Sequence, residues 1–476
     1  MSSRALSFLV FCTSAAVLVL EILAGRLLGP FIGVSLETFT GIIGTVLAGI
    51  AVGSAAGGRL ADRNDPRALV GPILVMGGAL TWLAPPLVSL IGPSVDNSPF
   101  GIVFIVALTF FAPAAVLSAI SPIAAKMRLD DLGETGSVVG NLSAAGTTGA
   151  LFGTFVTGFV LVAALPSRPI IFLLGAALVM AGLLLWYRLR GATEGAPALI
   201  VALLVPAIAN LGVGSPCDVE TAYACVWVTK DEGREGGRSL ILDGLRNSYV
   251  DLDDYTYLEF EYMRHFAEVV ETTRPGAIKG LHLGGAGFTF PRYLAAVRPG
   301  SSGIVLEIDD RLVELAQAEL GLELGEDLQV VVDDARLSIR DQPTDGFDVI
   351  IADTFSGGTV PWHLTTREFM AELQRVLHPS GVLAMNVLDG KSVDFARAEL
   401  ATLDAVFENV ALILPSGGLE SGRTRNLILI ASDQPIIKPE VAEGRFLDTA
   451  RTRKFIDGAR VLRDDFAPVE QLRQQP

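Results

Sequence analysis

Apolar residues follow two different rhythms along this chain. Residues 6–25, 39–56, 69–91, 102–124, 138–164, 170–186 and 198–211 form long apolar runs with few charges. A bilayer core asks for roughly 20 such residues per helix, so the pattern predicts an all-α polytopic region of about seven helices over 1–214. The first run is too long for a cleaved leader and a second follows it directly, which predicts that it is retained. From residue 215 the apolar runs shorten. Residues 223–228 and 239–242 predict a small β lead-in over 215–260, and a helical period covers 257–270. Strand-like runs at 280–283, 303–308, 329–332, 347–352 and 382–387 then alternate with helical periods at 290–297, 312–320 and 366–377. That alternation predicts a mostly parallel sheet with helices on both faces over 261–440, an α/β Rossmann-like arrangement followed by a tail at 441–476.

Within the first region, Gly49, Gly53 and Gly57, and again Gly149 and Gly153, recur every fourth residue. Such spacing lets a second helix backbone come close, either inside this chain or in a dimer. Glu21 lies within the first run, where a carboxylate is costly; a partner such as Arg26 and a place on a solute path each account for it. Arg59, Arg63 and Arg67 follow the second run, Lys126 and Arg128 the fourth, and Arg188 and Arg190 the sixth, whereas the loop around Asp96 has no basic residue. Basic loops mark the cytoplasmic side. The expectation is therefore a multi-pass cell-membrane protein with its N-terminus inside and, if all seven runs cross, its second region outside; if the short run 198–211 does not cross, that region lies inside.

Charge separates the same two regions. The chain's net charge is -16, yet residues 1–215 hold 10 basic against 9 acidic side chains and the rest 26 against 43. An acidic second region without a basic patch excludes nucleic acid as a partner. Cys12 falls in the first run, while Cys217 and Cys225 follow the last, as a bridge on an oxidising side or as two free thiols. No His, Cys or acidic cluster has zinc-ligand spacing, so no metal is expected.

Candidate chemistry sits at the strand ends, where ligands bind on such sheets. The first strand ends in Gly284-Gly285-Ala286-Gly287, the second in Glu307-Ile308-Asp309, the third in Asp333-Asp334-Ala335 and the fourth in Asp353. Glycines admit a nucleoside close to the backbone, a carboxylate about twenty residues on can hold ribose hydroxyls, and a further acid can read an adenine amino group. Four such signals in order point to an adenosine-type ligand.

Glu220-Thr221-Ala222-Tyr223, Leu242-Asp243-Gly244, Tyr257-Leu258-Glu259, the glycine turn, Leu306-Glu307-Ile308-Asp309, Asp334-Ala335 and Asp348-Val349-Ile350-Ile351-Ala352-Asp353 follow one another as in the spermidine synthases, which residues 220–387 resemble. With the preceding spans and the closing Asp464-Asp465-Phe466-Ala467-Pro468-Val469-Glu470, the chain is similar to the bacterial membrane-fused members. The resemblance implies a methyltransferase-type Rossmann-like fold and transfer of an aminopropyl group from decarboxylated S-adenosylmethionine to an amine such as putrescine. It implies donor binding by Asn247, Gly284, Gly285, Gly287, Glu307, Asp309, Asp334 and Ala335, with Glu307 on the ribose and Asp334 on the adenine. Tyr257, Glu259 and Ser356 would line the amine's path, and Asp353 would accept a proton from the attacking nitrogen. An ammonium has no lone pair, so some acceptor must take that proton; a strand-end carboxylate can alternatively cap the next helix. The implied partners are a small cationic amine, the lipid bilayer and a second copy of the chain.

Departures from the family pattern bear on this. Gly287 and Ser356 stand where the family has carboxylates that contact amines, and Asn247 where a glutamine is usual. Two lost charge-assisted contacts, each about 1.5–3 kcal/mol, weaken selection for amines. His363 beside Trp362 in the replaced loop is a candidate base or a packing residue, and His282 belongs to a buried strand. Three readings stand: an aminopropyltransferase, a methyltransferase-like enzyme using S-adenosylmethionine itself, and a non-catalytic binding or transport-linked module.

Overall fold

The structure is a computed structural model, and residues 1–33, 35–95, 98–129, 135–190, 217–354, 360–390, 392–419 and 424–473 are described. The chain divides into two compact units, Met1–Cys225 and Val226–Pro476.

The first unit contains six described helices long and apolar enough to cross a membrane: α1 (Ser3–Ile32), α2 (Leu36–Arg63), α3 (Pro66–Ile91), α4 (Pro99–Arg128), α5 (Thr135–Ala164) and α6 (Ser167–Arg190). The seventh run, 198–211, lies outside the described residues. Polar residues set where the helices start: Ser2, Ser35, Asp65 and Ser98 each accept a hydrogen bond from a first-turn backbone N–H, satisfying donors that the helix itself cannot. The outer surface is apolar too, with Leu90, Phe100 and Phe159 at least 75 % exposed, a pattern suited to lipid rather than water.

Glycines set the helix contacts. A Cβ built on Gly49 would lie 2.9 Å from the Phe111 carbonyl oxygen, and one on Gly57 2.6 Å from Ala119, so α2 lies against α4 with no room for a side chain. Gly149 and Gly153 meet the Phe11 and Ala15 carbonyls of α1 in the same way. Both glycine series therefore pack helices within this chain.

Ion pairs sort the helix ends onto two faces. Lys126 at the end of α4 pairs with Asp62 at the end of α2 at 3.0 Å, on the face where α6 also ends. On the opposite face Arg168, opening α6, donates to Ser89 Oγ near the end of α3 at 2.8 Å. Residues 217–225 dock on this second face. Glu220 accepts from the Ser167 backbone N–H at 3.0 Å and pairs with Arg26 at 3.0 Å, and Arg26 also donates to the Thr221 and Ala222 carbonyls. Arg26 is thus engaged by Glu220 and not by Glu21, one turn away on α1, because the docked strand offers a carboxylate and two carbonyls at once. Cys217 and Cys225 are bridged, with Cα atoms 5.4 Å apart.

The second unit opens with three antiparallel strands, β1 (Cys225–Lys230), β2 (Gly237–Leu242) and β3 (Leu245–Asp251). The third is not evident from the apolar pattern, since Leu245 and Arg246 face solvent. Asp243 and Gly244, at φ 48° and 81°, make the tight turn between β2 and β3, a conformation that Asp-Gly adopts readily. Helix α7 (Glu261–Glu271) follows, starting four residues later than its helical period suggests because the backbone at Phe260 is still extended.

Then come β4 (Lys279–Leu283), α8 (Thr289–Val297), β5 (Ser302–Glu307), α9 (Asp310–Glu319), β6 (Leu328–Val332), α10 (Ala335–Ser338), β7 (Phe347–Ala352), α11 (Arg367–Val376), β8 (Leu377–Asp389), α12 (Asp394–Asp404), β9 (Asn409–Leu414), β10 (Arg425–Ser432), β11 (Arg445–Leu447) and α13 (Thr449–Ile456). They build one eight-stranded sheet in the order β11-β9-β10-β8-β7-β4-β5-β6. Five strands, β8 to β6 in that order, run parallel; β10, β9 and β11 extend the sheet antiparallel. One face packs Leu281, Ile350 and Leu383 against Phe369, Leu373 and Phe395 of α11 and α12. The other packs Val349 and Ile351 against Phe266 and Phe290 of α7 and α8. The order in which strands join the sheet reverses between β4 and β7, which makes the carboxyl end of those strands the expected ligand crevice.

Candidate active site

The strand ends meet at that crevice. Gly284 N–H donates to Leu306 O at 2.9 Å, Asp333 N–H to Glu307 O at 3.1 Å and Asp353 N–H to Leu283 O at 3.0 Å, so β4, β5, β6 and β7 end side by side. The glycine turn passes through the left-handed region at Gly284 (φ 85°), Ala286 (44°) and Phe288 (53°). A Cβ at Gly284 would strike the Asp353 carbonyl oxygen, so only glycine lets the turn lie against β7. Left-handed non-glycine residues are unfavourable and gather at functional sites.

Glu307 is buried and already engaged. One carboxylate oxygen accepts from Gly285 N–H at 2.8 Å and Ala286 N–H at 3.2 Å, the other from Asp309 N–H at 3.0 Å. Burial pushes its carboxyl above the usual range, against these three backbone donors. A carboxylate offers about four lone-pair positions, so Glu307 can brace the turn and still accept from a ligand hydroxyl. Asp309, also buried, caps α9 by accepting from Arg311 and Leu312 N–H. Asp334 caps α10 through Arg336 N–H at 2.7 Å and takes His363 Nε2 at 2.9 Å, with Ala335 buried behind it. His363 is thereby placed on Asp334 rather than on Asp353, while its ring also meets Trp362 edge-on.

Asp353 does not cap a helix. Its Oδ1 accepts from Asn386 Nδ2 at 2.9 Å and its Oδ2 from the Tyr262 hydroxyl at 3.0 Å. Burial raises its carboxyl above the usual range, and the two donors oppose that shift. Tyr262 is itself buried, and burial beside Asp353 holds its hydroxyl far above the usual range, so it remains a donor. Among the described residues, the buried Oδ1 of Asn386 has no hydrogen-bond partner.

Around the turn, Gly287 N–H donates to Ser248 Oγ at 3.1 Å, and that hydroxyl is 3.1 Å from Asn247 Oδ1. A Cβ at Gly287 would come within 2.7 Å of Ser248 Cβ, so no carboxylate can occupy this position while Ser248 stays where it is. Buried Arg292 donates to the Gly287, Leu320 and Phe288 carbonyls, fixing the turn from below. Tyr257 donates to Glu259 at 2.7 Å, and Glu259 pairs with Arg246 at 3.2 Å; the Tyr257 hydrogen bond and then Arg246 keep the Glu259 carboxyl below its usual range. Ser356 lies outside the described residues. His282 is buried in β4 among Gly280, Gly303 and Phe290, without a hydrogen-bond partner among the described residues, and burial lowers its pKa to about 3. Among the described residues, no group of three or more His, Cys, Asp or Glu side chains could hold a metal ion.

Asn386 carries a readable signal, a lone amide in the apolar run 382–387. Tyr262 and Ser248 carry none, because their roles depend on which strands become neighbours.

No family model matches the chain. A polyamine aminopropyltransferase of Vibrio vulnificus is 31 % identical over 162 residues, 33 % of this chain and 54 % of that protein. One from Chromobacterium violaceum is 27 % identical over 171 residues, 36 % of this chain and 64 % of that protein. The chain thus spans between half and two thirds of the length of these relatives. Among solved structures, a probable spermidine synthase from Corynebacterium glutamicum is 29 % identical, with 54 % of this chain and 98 % of that one covered and a TM-score of 0.49. Over these residues the chain is similar to polyamine aminopropyltransferases.

Proposed function

We propose that the second unit is an aminopropyltransferase that uses decarboxylated S-adenosylmethionine and a small amine such as putrescine, tethered to a membrane by the first unit. Asp353 carries the reading: a carboxylate at the switch of a nucleoside crevice, oriented by two neutral donors, Asn386 and Tyr262. The amine nitrogen would attack the methylene carbon next to the sulfonium, the carbon–sulfur bond would break, and methylthioadenosine would leave as a neutral thioether. The proton shed by the nitrogen would pass to Asp353. Glu307 would hold the ribose and Asp334 the adenine amino group.

The test uses the full chain in detergent micelles with decarboxylated donor and putrescine. Wild type should form spermidine and Asp353→Asn should not. Ser248 filling the place of an amine-binding carboxylate at Gly287 favours a second reading, a methyltransferase-like enzyme, and a preference for S-adenosylmethionine over its decarboxylated form would establish that instead. Binding of neither donor would leave a non-catalytic module.

On the same footing, the second unit is proposed to lie outside the cytoplasm. Arg59, Arg63, Lys126 and Arg188 gather near the face where α2, α4 and α6 end, while residues 217–225, with their disulfide, dock on the opposite face. Basic ends mark the cytoplasm and disulfides persist where it is oxidising. An impermeant thiol reagent applied to intact cells after reduction should label Cys217 and Cys225; protection of both before and after reduction would overturn this placement.

A further inference from the structure

The closing segment around Asp464 has no place in the chemistry above, yet it reaches the site. Asp464 Oδ2 receives Arg336 Nη2 at 2.5 Å, and its Oδ1 receives the Thr366 hydroxyl at 2.6 Å. Arg336 in turn donates through Nη1 to the His363 carbonyl at 2.7 Å and to Thr366 Oγ1 at 2.7 Å. The backbone joins in: Arg367 N–H donates to Leu462 O at 2.9 Å and Asp464 N–H to Glu368 at 3.1 Å. The far end of this network is the His363 ring on Asp334 at 2.9 Å, and Arg336 N–H is also what Asp334 caps. One guanidinium therefore ties three things together: the helix start that carries Asp334, the segment that carries His363, and the closing segment.

We propose that Asp464 is a positioning residue for the nucleoside site: through Arg336 and Thr366 it fixes the 360–366 segment, and with it His363, against Asp334. This rests on the reading of Asp334 as the contact for the adenine amino group. Asp464 is only half-buried and the guanidinium largely enclosed, so the carboxylate supplies the countercharge at the point where Arg336 leaves the interior. Without it Arg336 keeps two neutral acceptors, the His363 carbonyl and the Thr366 hydroxyl, and loses the charged one. Charge-assisted hydrogen bonds are about twice as strong as neutral ones, so the loss loosens the segment without unfolding the sheet. The same geometry makes residues 462–464 a strut for the adenine side of the crevice.

The experiment uses the full chain in detergent micelles and two probes, 5′-methylthioadenosine and 5′-methylthioinosine, which differ at the six-position that Asp334 would read. Wild type should bind the adenosine form more tightly. Asp464→Asn should weaken binding of the adenosine form about tenfold while leaving the inosine form within about twofold, with little change in melting temperature. Combined with Asp334→Asn it should add nothing further. Backbone hydrogen exchange in residues 360–366 should quicken in Asp464→Asn even without ligand, and Asp464→Glu should restore part of both effects.

Unchanged discrimination between the probes in Asp464→Asn, in a wild type that does discriminate, overturns the proposal. Equal binding of both probes by wild type overturns the reading of Asp334 instead. The strut is then decided by exchange alone, where an unchanged rate at 360–366 refutes it and a faster one upholds it.

Discussion

Glycine serves opposite ends in the two units. In the helical unit Gly49, Gly53, Gly57, Gly149 and Gly153 are places where a second backbone has moved in, close enough that any side chain would collide with a carbonyl. In the second unit the turn at Gly284 uses a left-handed backbone to swing against β7 at the carboxyl end of the parallel strands. The first use brings two helices together along their length, and the second bends a single turn through the left-handed region. Carboxylates divide in the same way: the helical unit keeps few, and its Glu220 is consumed by Arg26 and Ser167, whereas Glu307, Asp334 and Asp353 hold orientation and retain capacity to accept from a ligand. Spacing alone does not separate these uses; what surrounds the residue does.

The contrast breaks most visibly at Asp353. General-base assistance contributes about 10²–10⁴ in rate, so Asp353→Asn should lower turnover of amine by that factor while binding of an adenosyl ligand and thermal stability change little; a variant with wild-type turnover would return Asp353 to a structural role. A smaller effect is expected at Glu307. Its glutamine variant cannot accept all three backbone donors that now reach the carboxylate, and the turn and the ribose contact share the loss. Affinity for methylthioadenosine, measured by titration calorimetry, should fall about tenfold to a hundredfold, and unchanged affinity would show that Glu307 serves the turn alone.

Much of this was legible in the chain because it follows from local rules. Runs of about twenty apolar residues and acids at or just past a strand end need no neighbour to be recognised, and six helices and the four strand ends stand where the pattern puts them. What escaped depends on assembly. Strand β3 reads as polar because it carries Arg246, Asn247, Ser248 and Asp251, the last two buried, and the antiparallel edge of β9 to β11 depends on pairing order rather than composition. The donors on Asp353 come from α7 and β8, separated from it by 91 and 33 residues. Arg26 was assignable to Glu21 by proximity in sequence, but a docked segment 194 residues away offers it more acceptors.

Gly53 tests the other half of the comparison. A methyl group there would meet the backbone of Ala115 in α4, which has no rotamer with which to yield. Overpacking of this kind costs about 1–3 kcal/mol. Gly53→Ala should lower the melting temperature of the purified chain, and because the strain sits in the helical unit, affinity for methylthioadenosine in the surviving folded protein should match wild type. A matched loss of affinity would mean that the close packing of one unit does control the open site of the other.

The smallest effect is expected from an acid that belongs to neither use. Glu399 on α12 is 1 % exposed, and among the described residues neither carboxylate oxygen has a hydrogen-bond partner; burial raises its carboxyl well above the usual 4.5. A group whose pKa is raised on folding contributes fully below its unfolded value, and that contribution is lost as pH rises through the folded one. Wild type should therefore lose stability from about pH 4.5 upward on account of this residue, and Glu399→Met should remove that slope. An unpaired buried polar group costs about 1–3 kcal/mol, so the variant should melt higher than wild type at neutral pH, with the difference shrinking toward pH 4.5. A difference independent of pH would show that Glu399 costs through poor packing rather than through its proton, and a lower melting temperature at every pH would show that the acid is an unrecognised part of the site-bearing unit.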